Sequence, residues 1–529
     1  MSDGSLSTET AGAARSAPGG LAAQRLVTVL AVVGACAFVG LLGVRTLTTP
    51  DLGYHLAYGE HFLDRWQIVD TSRFLHDDAV AAGPSGELPP GAWFDASGAY
   101  RFPNANWLSQ VVMALVHRWA GLKGLSVLLA VLVGGIFAVS LVTMRRLGLG
   151  WLAVTAGLLL TAMVAYERFL LRPEVFAYLV LMGQVWLLSG VGRGNSSRGP
   201  RPAAKRGEER PGRVIGWGTA AGLVGLQWLL VNLHSYFLLG IGLTGAVLAE
   251  ALVRRLWSRE AGGRGVVRLA VVLLVQVGVC FVNPWTWRLA VLPIQTLMFM
   301  RAHGIAGGGF TETGHPWAMI GEFFRPFAPG VFRESKASWA YCALLALSAA
   351  GVLCAAIRRR WAAVLIVSAM TAASLAMRRN IAPAALVVIP LSLWACRDAL
   401  AGWAGRLLGR FGTAGALAAG GAMAAVSLYG AFSVVTHRFY RGERRAVRFG
   451  LGVSRTVVPV GAAEWLNAHR PGGRLWTDYN SSSNVMYFTR PHRPVPVLTN
   501  TWAYPPETMR RVLDLSRARR PVRGADGLD

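Results

Sequence analysis

Thr49-Pro50-Asp51-Leu52-Gly53-Tyr54-His55-Leu56-Ala57-Tyr58-Gly59-Glu60 follows directly on an apolar run, residues 26–44, about the length of one bilayer crossing. The junction places a carboxylate, Asp51, where the first helix leaves the hydrocarbon. A carboxylate there is costly unless it faces water, protein or a ligand, so Asp51 is a functional candidate. Tyr54, Tyr58, Phe62 and Trp66 recur at helical spacing and predict an interfacial helix carrying an aromatic belt. His55, four residues on, shares a face with Asp51 if that helix begins at Asp51. Asp is also a favoured N-cap, and capping is compatible with chemistry, so the local sequence leaves both roles open.

Composition sets the class. Of 529 residues, 53% are hydrophobic and only 15% charged, and the apolar residues come in membrane-length blocks. The net charge of +26 reflects 53 Lys and Arg against 27 Asp and Glu. Cys36, Cys280, Cys342, Cys354 and Cys396 all lie inside apolar runs, with no disulfide framework and no metal-ligand spacing.

Residues 1–23 are rich in Ser, Gly and Ala and read as a disordered tail. The 26–44 run is too long for a signal-peptide core and reads as an anchor. Further runs fall near 122–142, 150–168, 173–190, 214–231, 235–252, 266–282, 339–357, 361–377, 381–396 and 413–435. The chain thus reads as an all-α polytopic membrane protein with about eleven spans over 24–435. A first outer loop covers 45–121, with an amphipathic segment ending near Trp119, and a long outer loop covers 284–338. Such loops carry interfacial helices or lids. Residues 436–529 form a small extracytoplasmic segment with little core. It is expected to hold a helix at 463–469, strands at 475–478 and 485–489, a polar turn at 479–484 and a disordered end.

Charge sets the orientation. With a cytoplasmic N-terminus, the basic connections at Arg145-Arg146, 191–213, Arg254-Arg255, Arg358-Arg359-Arg360 and Arg397 lie inside. The excess positive charge is then topogenic, which argues against nucleic-acid binding. An odd number of spans puts the C-terminal segment outside.

The same topology carries the unusual polar residues to the outer side. Asp51 and His55 are there with Asn106 and Trp107; so are Glu167, Arg168, Arg172 and Glu174 between the third and fourth spans. Asn232 and His234 link the fifth and sixth spans, Asn283 leaves the seventh, and Arg378-Arg379-Asn380 join the ninth to the tenth. Those two arginines run against the positive-inside trend, and a lipid phosphate is a natural partner for their planar forks. Each feature alone has a plainer reading. Asn283-Pro284 suits a helix stop, His234 a core histidine, Arg172-Pro173 a helix start, and the arginine pair headgroup anchoring. Their convergence on one side points to a pocket at the outer membrane surface.

The 50–59 stretch resembles the first-loop motif of multi-spanning GT-C-type glycosyltransferases. It is most similar to a bacterial branch in which Asp is followed by a His-Leu-x-x-Gly run. Asn106-Trp107-Leu108-Ser109-Gln110, Arg172-Pro173-Glu174, Asn232-Leu233-His234, Asn283-Pro284 and Arg379-Asn380 match further marks of that branch in order, over about residues 25–396. The resemblance implies a GT-C-like fold in a bacterial plasma membrane. It also implies transfer of a sugar from a polyprenyl-phosphate-linked donor to an extracytoplasmic glycan, lipid or protein acceptor. Asp51 would be the acidic first-loop residue, acting as base or metal ligand. Position 52 carries no second acid, so the involvement of a divalent cation stays open. Glycosyl transfer needs a carboxylate to take the acceptor proton and positive groups or a metal to hold the departing phosphate. Asp51, Glu167 and Glu174 are the catalytic candidates. Arg172, Arg378 and Arg379 would bind the phosphate, with His55, Asn106, Trp107, Asn232, His234, Asn283 and Asn380 also facing substrate. A transporter or flippase of a lipid-linked or anionic substrate is the alternative, and a scaffold whose outer polar face binds a partner is a third. Transporters usually place polar residues near the midplane with an internal repeat, whereas here they gather at span ends.

Overall fold

The computed structural model describes residues 18–77, 86–191, 215–258, 263–305, 314–329, 331–332, 335–443 and 445–517. The expectations for the N-terminal tail before residue 18, for most of the 191–213 loop and for the end beyond 517 lie outside these residues.

Every one of the eleven apolar runs is helical. The chain begins with α1 (Pro18–Gly43), α2 (Leu52–Arg65), α3 (Trp107–Arg146), α4 (Trp151–Ala165) and α5 (Pro173–Leu188). Next come α6 (Trp217–Leu233), α7 (Phe237–Ser258), α8 (Gly263–Val279) and α9 (Trp287–Ala302), the last inside the long outer loop. Then follow α10 (Lys336–Ile357), α11 (Trp361–Ala376), α12 (Ile381–Gly409) and α13 (Gly412–Val435). By length and composition, six of these helices (α1, α3, α7, α10, α12 and α13) can cross a membrane, and α5 and α11 are apolar but shorter. In α3, Gly121 has φ 59° and ψ −158°, a left-handed break open to glycine. It separates the amphipathic segment from the apolar run at the boundary expected from the sequence.

The two ends of the bundle differ in chemistry. At one end, basic residues close the helix turns: Arg397 donates to the Leu147 carbonyl (3.4 Å), Arg360 to that of Trp394 (3.3 Å), and Arg358 pairs with Asp398. The opposite end carries Asp51, the first outer loop with a small hairpin, β1 (Trp93–Phe94) against β2 (Tyr100–Arg101), and the C-terminal segment.

Three expectations are corrected here. The α2 helix is not an aromatic belt at the interface: residues 52–59 are all buried, with Tyr54 and Tyr58 inside the core. Its small face explains this. A Cβ on Gly53 would lie 1.9 Å from the Ser483 carbonyl oxygen, and one on Gly59 2.1 Å from that of Gln110. The helix is therefore clamped backbone to backbone between α3 and the C-terminal segment. That segment also has more core than expected. Beyond α14 (Arg438–Arg441) it forms α15 (Val460–His469), α16 (Tyr479–Phe488) and α17 (Pro506–Arg517), with Met486, Tyr487, Val497, Leu498 and Tyr504 in the main hydrophobic cluster. The expected polar turn and second strand are a single helix, α16, because Asp478 caps it, accepting from the backbone N–H groups of Asn480 (2.9 Å) and Ser481 (3.2 Å).

Candidate active site at the polar end of the bundle

Asp51 stands at the N-cap position of α2, yet its carboxylate makes no capping hydrogen bond. Asn484 of α16 does that work instead, its Oδ1 accepting from the Gly53 N–H at 2.9 Å. Freed from its own helix, the Asp51 carboxylate lies 2.8 Å from Arg172 Nε and accepts a hydrogen bond from Thr499. Burial pushes the Asp51 carboxyl above its ordinary value, and Arg172 offsets only part of that.

Asp51 lines a cavity of about 590 Å³ between the ends of the helices, the long outer loop and the C-terminal segment. The cavity brings together most of the residues the sequence singles out: Asp51, His55, Asn106, Glu167, Arg172, Glu174, His234, Arg378 and Arg379. Trp107, Asn232, Asn283 and Asn380 are not among its walls. The Trp107 indole donates to Asn232 Oδ1 (3.0 Å), and Asn232 Nδ2 donates to the Val282 carbonyl (3.2 Å), joining α3 to the chain after α8. Asn283 folds its own turn, with Oδ1 accepting from Trp285 N at 2.8 Å, and Asn380 donates to the Ala373 carbonyl at the end of α11 (3.0 Å).

Charge is arranged as a network. Arg168 pairs with Glu174 at 2.5 Å and with Glu322 at 3.0 Å; Arg172 pairs with both Asp51 and Glu322. Arg379 reaches Glu174 at 3.4 Å, while Glu167 is shared by Arg378 (3.9 Å) and Arg445. Burial opposes the charge on Glu322, but Arg168 and Arg172 outweigh it and hold that carboxyl well below the usual range. Burial likewise keeps both histidines neutral, His234 down to about 3 and His55 well below its ordinary value.

His55 has a defined tautomer. The Asn104 amide donates to Gln110 Oε1 (2.8 Å), which leaves Gln110 Nε2 to donate to His55 Nδ1 (3.2 Å). The proton on His55 is therefore on Nε2, a buried atom with no hydrogen-bond partner in a residue that lines the cavity.

A divalent cation does not fit these residues. Each of the four cavity carboxylates, Asp51, Glu167, Glu174 and Glu322, already lies within 4.0 Å of a guanidinium. Hard cations take oxygen ligands whose charge is theirs to neutralise, and here five arginines face four acids. Among the described residues, no group of three His, Cys, Asp or Glu side chains is spaced to hold a metal ion.

Several lining residues went unselected in the sequence. Arg168 stands among the polar residues between the third and fourth spans but in no motif, and Glu322 lies in the 284–338 loop, where no pattern singles it out. Arg445, Tyr479, Asn480 and Thr499 come from the C-terminal segment, where only the polar run at 479–484 gave a signal.

No protein-family model and no curated protein matches the sequence. Among solved structures, the chain is similar to the archaeal oligosaccharyltransferase AglB from Archaeoglobus fulgidus, determined in complex with an inhibitory peptide and a dolichol-phosphate. The TM-score is 0.52 at 12% sequence identity, covering 90% of this chain and 64% of that one. This likeness speaks for the fold. Together with the six helices among the described residues that are long and apolar enough to cross a membrane, it describes a helical integral membrane protein that shares the fold of that structure.

Proposed function

We propose that the protein is a membrane glycosyltransferase that moves a sugar from a polyprenyl-phosphate-linked donor to an extracytoplasmic acceptor, as in the bacterial GT-C branch its first-loop motif resembles. The observation that carries this reading is the Asp51 carboxylate. It is turned away from its own helix into a cavity lined with arginines, at the polar end of an apolar bundle.

The chemistry follows from those groups. An acceptor hydroxyl attacks the anomeric carbon, its proton passes to Asp51, and the bond from the anomeric carbon to the phosphate oxygen breaks. A carboxyl raised by burial is a better base than an ordinary one, which suits this role. Arg172, Arg379 and the more exposed Arg378 would receive the phosphate charge, and the N–H of His55 would orient one of the two substrates. Glu174, held by Arg168 and Arg379, and Glu167, held by Arg378 and Arg445, would keep the arginines in place. The cavity would open to the extracytoplasmic side, with the basic end of the bundle in the cytoplasm.

Membranes containing the protein should consume a polyprenyl-phosphate sugar and form a glycosylated product, and Asp51→Asn membranes should not. Movement of an intact lipid-linked substrate between leaflets, without cleavage of its sugar–phosphate bond, would assign the protein to the flippase class instead.

A further inference from the structure

Two guanidiniums converge on one side chain that lines the cavity. Glu322 Oε1 receives Arg168 Nη1 at 3.0 Å and is also paired with Arg172 Nη1. Both arginines have further partners, Arg168 in Glu174 at 2.5 Å, Arg172 in Asp51 at 2.8 Å and in Thr49 Oγ1 at 3.0 Å. They are also deep, with side chains 14% and 12% exposed, whereas Glu322 is the open member at 27%. Arg168 Nε, a buried donor, has no hydrogen-bond partner. The pair has the form of an oxyanion site with a carboxylate in it.

Glu322 comes from a segment whose backbone is fixed independently of its side chain. The Glu322 carbonyl accepts from Arg379 N (3.1 Å) and the Phe324 carbonyl from Arg378 N (2.9 Å). A rotation about the Glu322 side-chain bonds can therefore vacate the two arginines without unfolding the loop. With Glu322 withdrawn, five guanidiniums face three carboxylates around the cavity, an excess of two positive charges. That is the charge of one phosphate monoester dianion, the species left when a sugar departs from a lipid phosphate.

We propose that Arg168 and Arg172 form a phosphate subsite, occupied by the Glu322 carboxylate until an incoming phosphate group displaces it. The subsite deepens the glycosyltransferase reading, on which the identity of its natural ligand rests. It takes a phosphate group on guanidiniums alone, with no divalent cation. The phosphate is borne on a lipid or free in solution; both present the same oxyanion.

The test is binding, without turnover, to purified full-length protein in detergent with EDTA present. Farnesyl phosphate and inorganic phosphate are the two probes, and wild type, Glu322→Gln, Glu322→Asp and Arg172→Gln are compared. Glu322→Gln removes the resident charge at nearly constant shape, so farnesyl phosphate should bind about tenfold tighter, the scale of one charge-assisted hydrogen bond. Glu322→Asp keeps the charge but draws it back by one methylene, and should show a smaller gain in the same direction. Arg172→Gln should bind about tenfold more weakly or worse. A gain shared by inorganic phosphate assigns the subsite to phosphate as such, and a gain confined to farnesyl phosphate assigns it to the lipid-borne group. Unchanged or weaker farnesyl phosphate binding by both Glu322 variants, or binding that requires added divalent cation, would overturn the proposal. The glycosyltransferase reading fails separately: farnesyl phosphate binding that responds to Glu322 in a protein that cleaves no sugar phosphate leaves the subsite standing.

Discussion

Asn484 Oδ1 accepts a hydrogen bond from the backbone N–H of Gly53 at 2.9 Å, across 431 residues of sequence. The same amide donates to the Thr49 carbonyl at 3.3 Å, so one side chain of α16 holds both flanks of Asp51. The C-terminal segment thus supplies the cap of α2 and fixes the direction in which the Asp51 carboxylate points.

Asn484→Ala should lower stability by about 1–2 kcal/mol, the cost of a lost cap whose partner stays buried. Gly53→Ala should cost more, because its Cβ would overlap the Ser483 carbonyl and separate α2 from α16. Thermal unfolding in detergent reads both. Equal stability of Gly53→Ala and wild type would show that the two helices are not in this contact.

The bundle has a basic end and an acidic–basic paired end, and the positive-inside rule predicts that the basic end is cytoplasmic. In a cysteine-free background, Ser97→Cys, exposed in the turn between β1 and β2, should label from outside intact cells. Arg410→Cys, exposed between α12 and α13, should label only after permeabilisation. The reverse pattern would place the cavity on the cytoplasmic face and remove the extracytoplasmic acceptor from the proposal.

The sequence made the bundle and the charged helix-end residues of the cavity legible for one physical reason: a charge beside a membrane-length apolar run is conspicuous. Asp51, Arg172, Glu174, Arg378 and Arg379 all stand in that position. Glu322 and Thr499 do not. They reach the cavity from an outer loop and from the C-terminal segment, where no periodicity ties them to the helices. Tyr54 and Tyr58 misled because the same four-residue spacing serves an aromatic belt and a buried face equally. The deciding residues were Gly53 and Gly59, whose missing side chains let two backbones approach. In the C-terminal segment the second expected strand and the polar turn before it proved to be one helix, fixed by the Asp478 cap.

Arg378 and Arg379 differ in depth, with side chains 40% and 18% exposed. Replacing both with Gln should weaken binding of a polyprenyl phosphate while leaving membrane insertion intact. Arg379→Gln should contribute the larger part, since it also releases Glu174 from one of its two guanidiniums. Unchanged lipid affinity in the double variant would assign these arginines to packing and headgroup contact.

Because the cavity acids are all paired with arginines, sugar transfer should persist in excess EDTA at close to its untreated rate. Loss of activity on chelation, restored by Mg²⁺ or Mn²⁺, would mean that a cation displaces at least one of those guanidiniums in the working enzyme.

Asp51→Asn is the change that isolates chemistry from architecture. The α2 cap belongs to Asn484, so the substitution removes no capping hydrogen bond. The sign of the stability effect follows from the pKa direction. A carboxyl raised by burial is more easily protonated folded than unfolded, so its ionisation opposes folding as pH rises through the folded value. At neutral pH the neutral amide should therefore leave the melting temperature unchanged or higher. Turnover should behave in the opposite way, falling by roughly a hundredfold or more, the scale of lost acid–base assistance. In the wild type, kcat/KM should decline on the acid side through a titration above the ordinary Asp value of 3.8, and that limb should vanish from the residual activity of Asp51→Asn. His55 and His234 are held neutral by burial and should add no limb near pH 6.5. A folded Asp51→Asn protein that transfers sugar at the wild-type rate would remove Asp51 from the reaction and make Glu167, the most exposed of the other two sequence-predicted acids at 20%, the next candidate base.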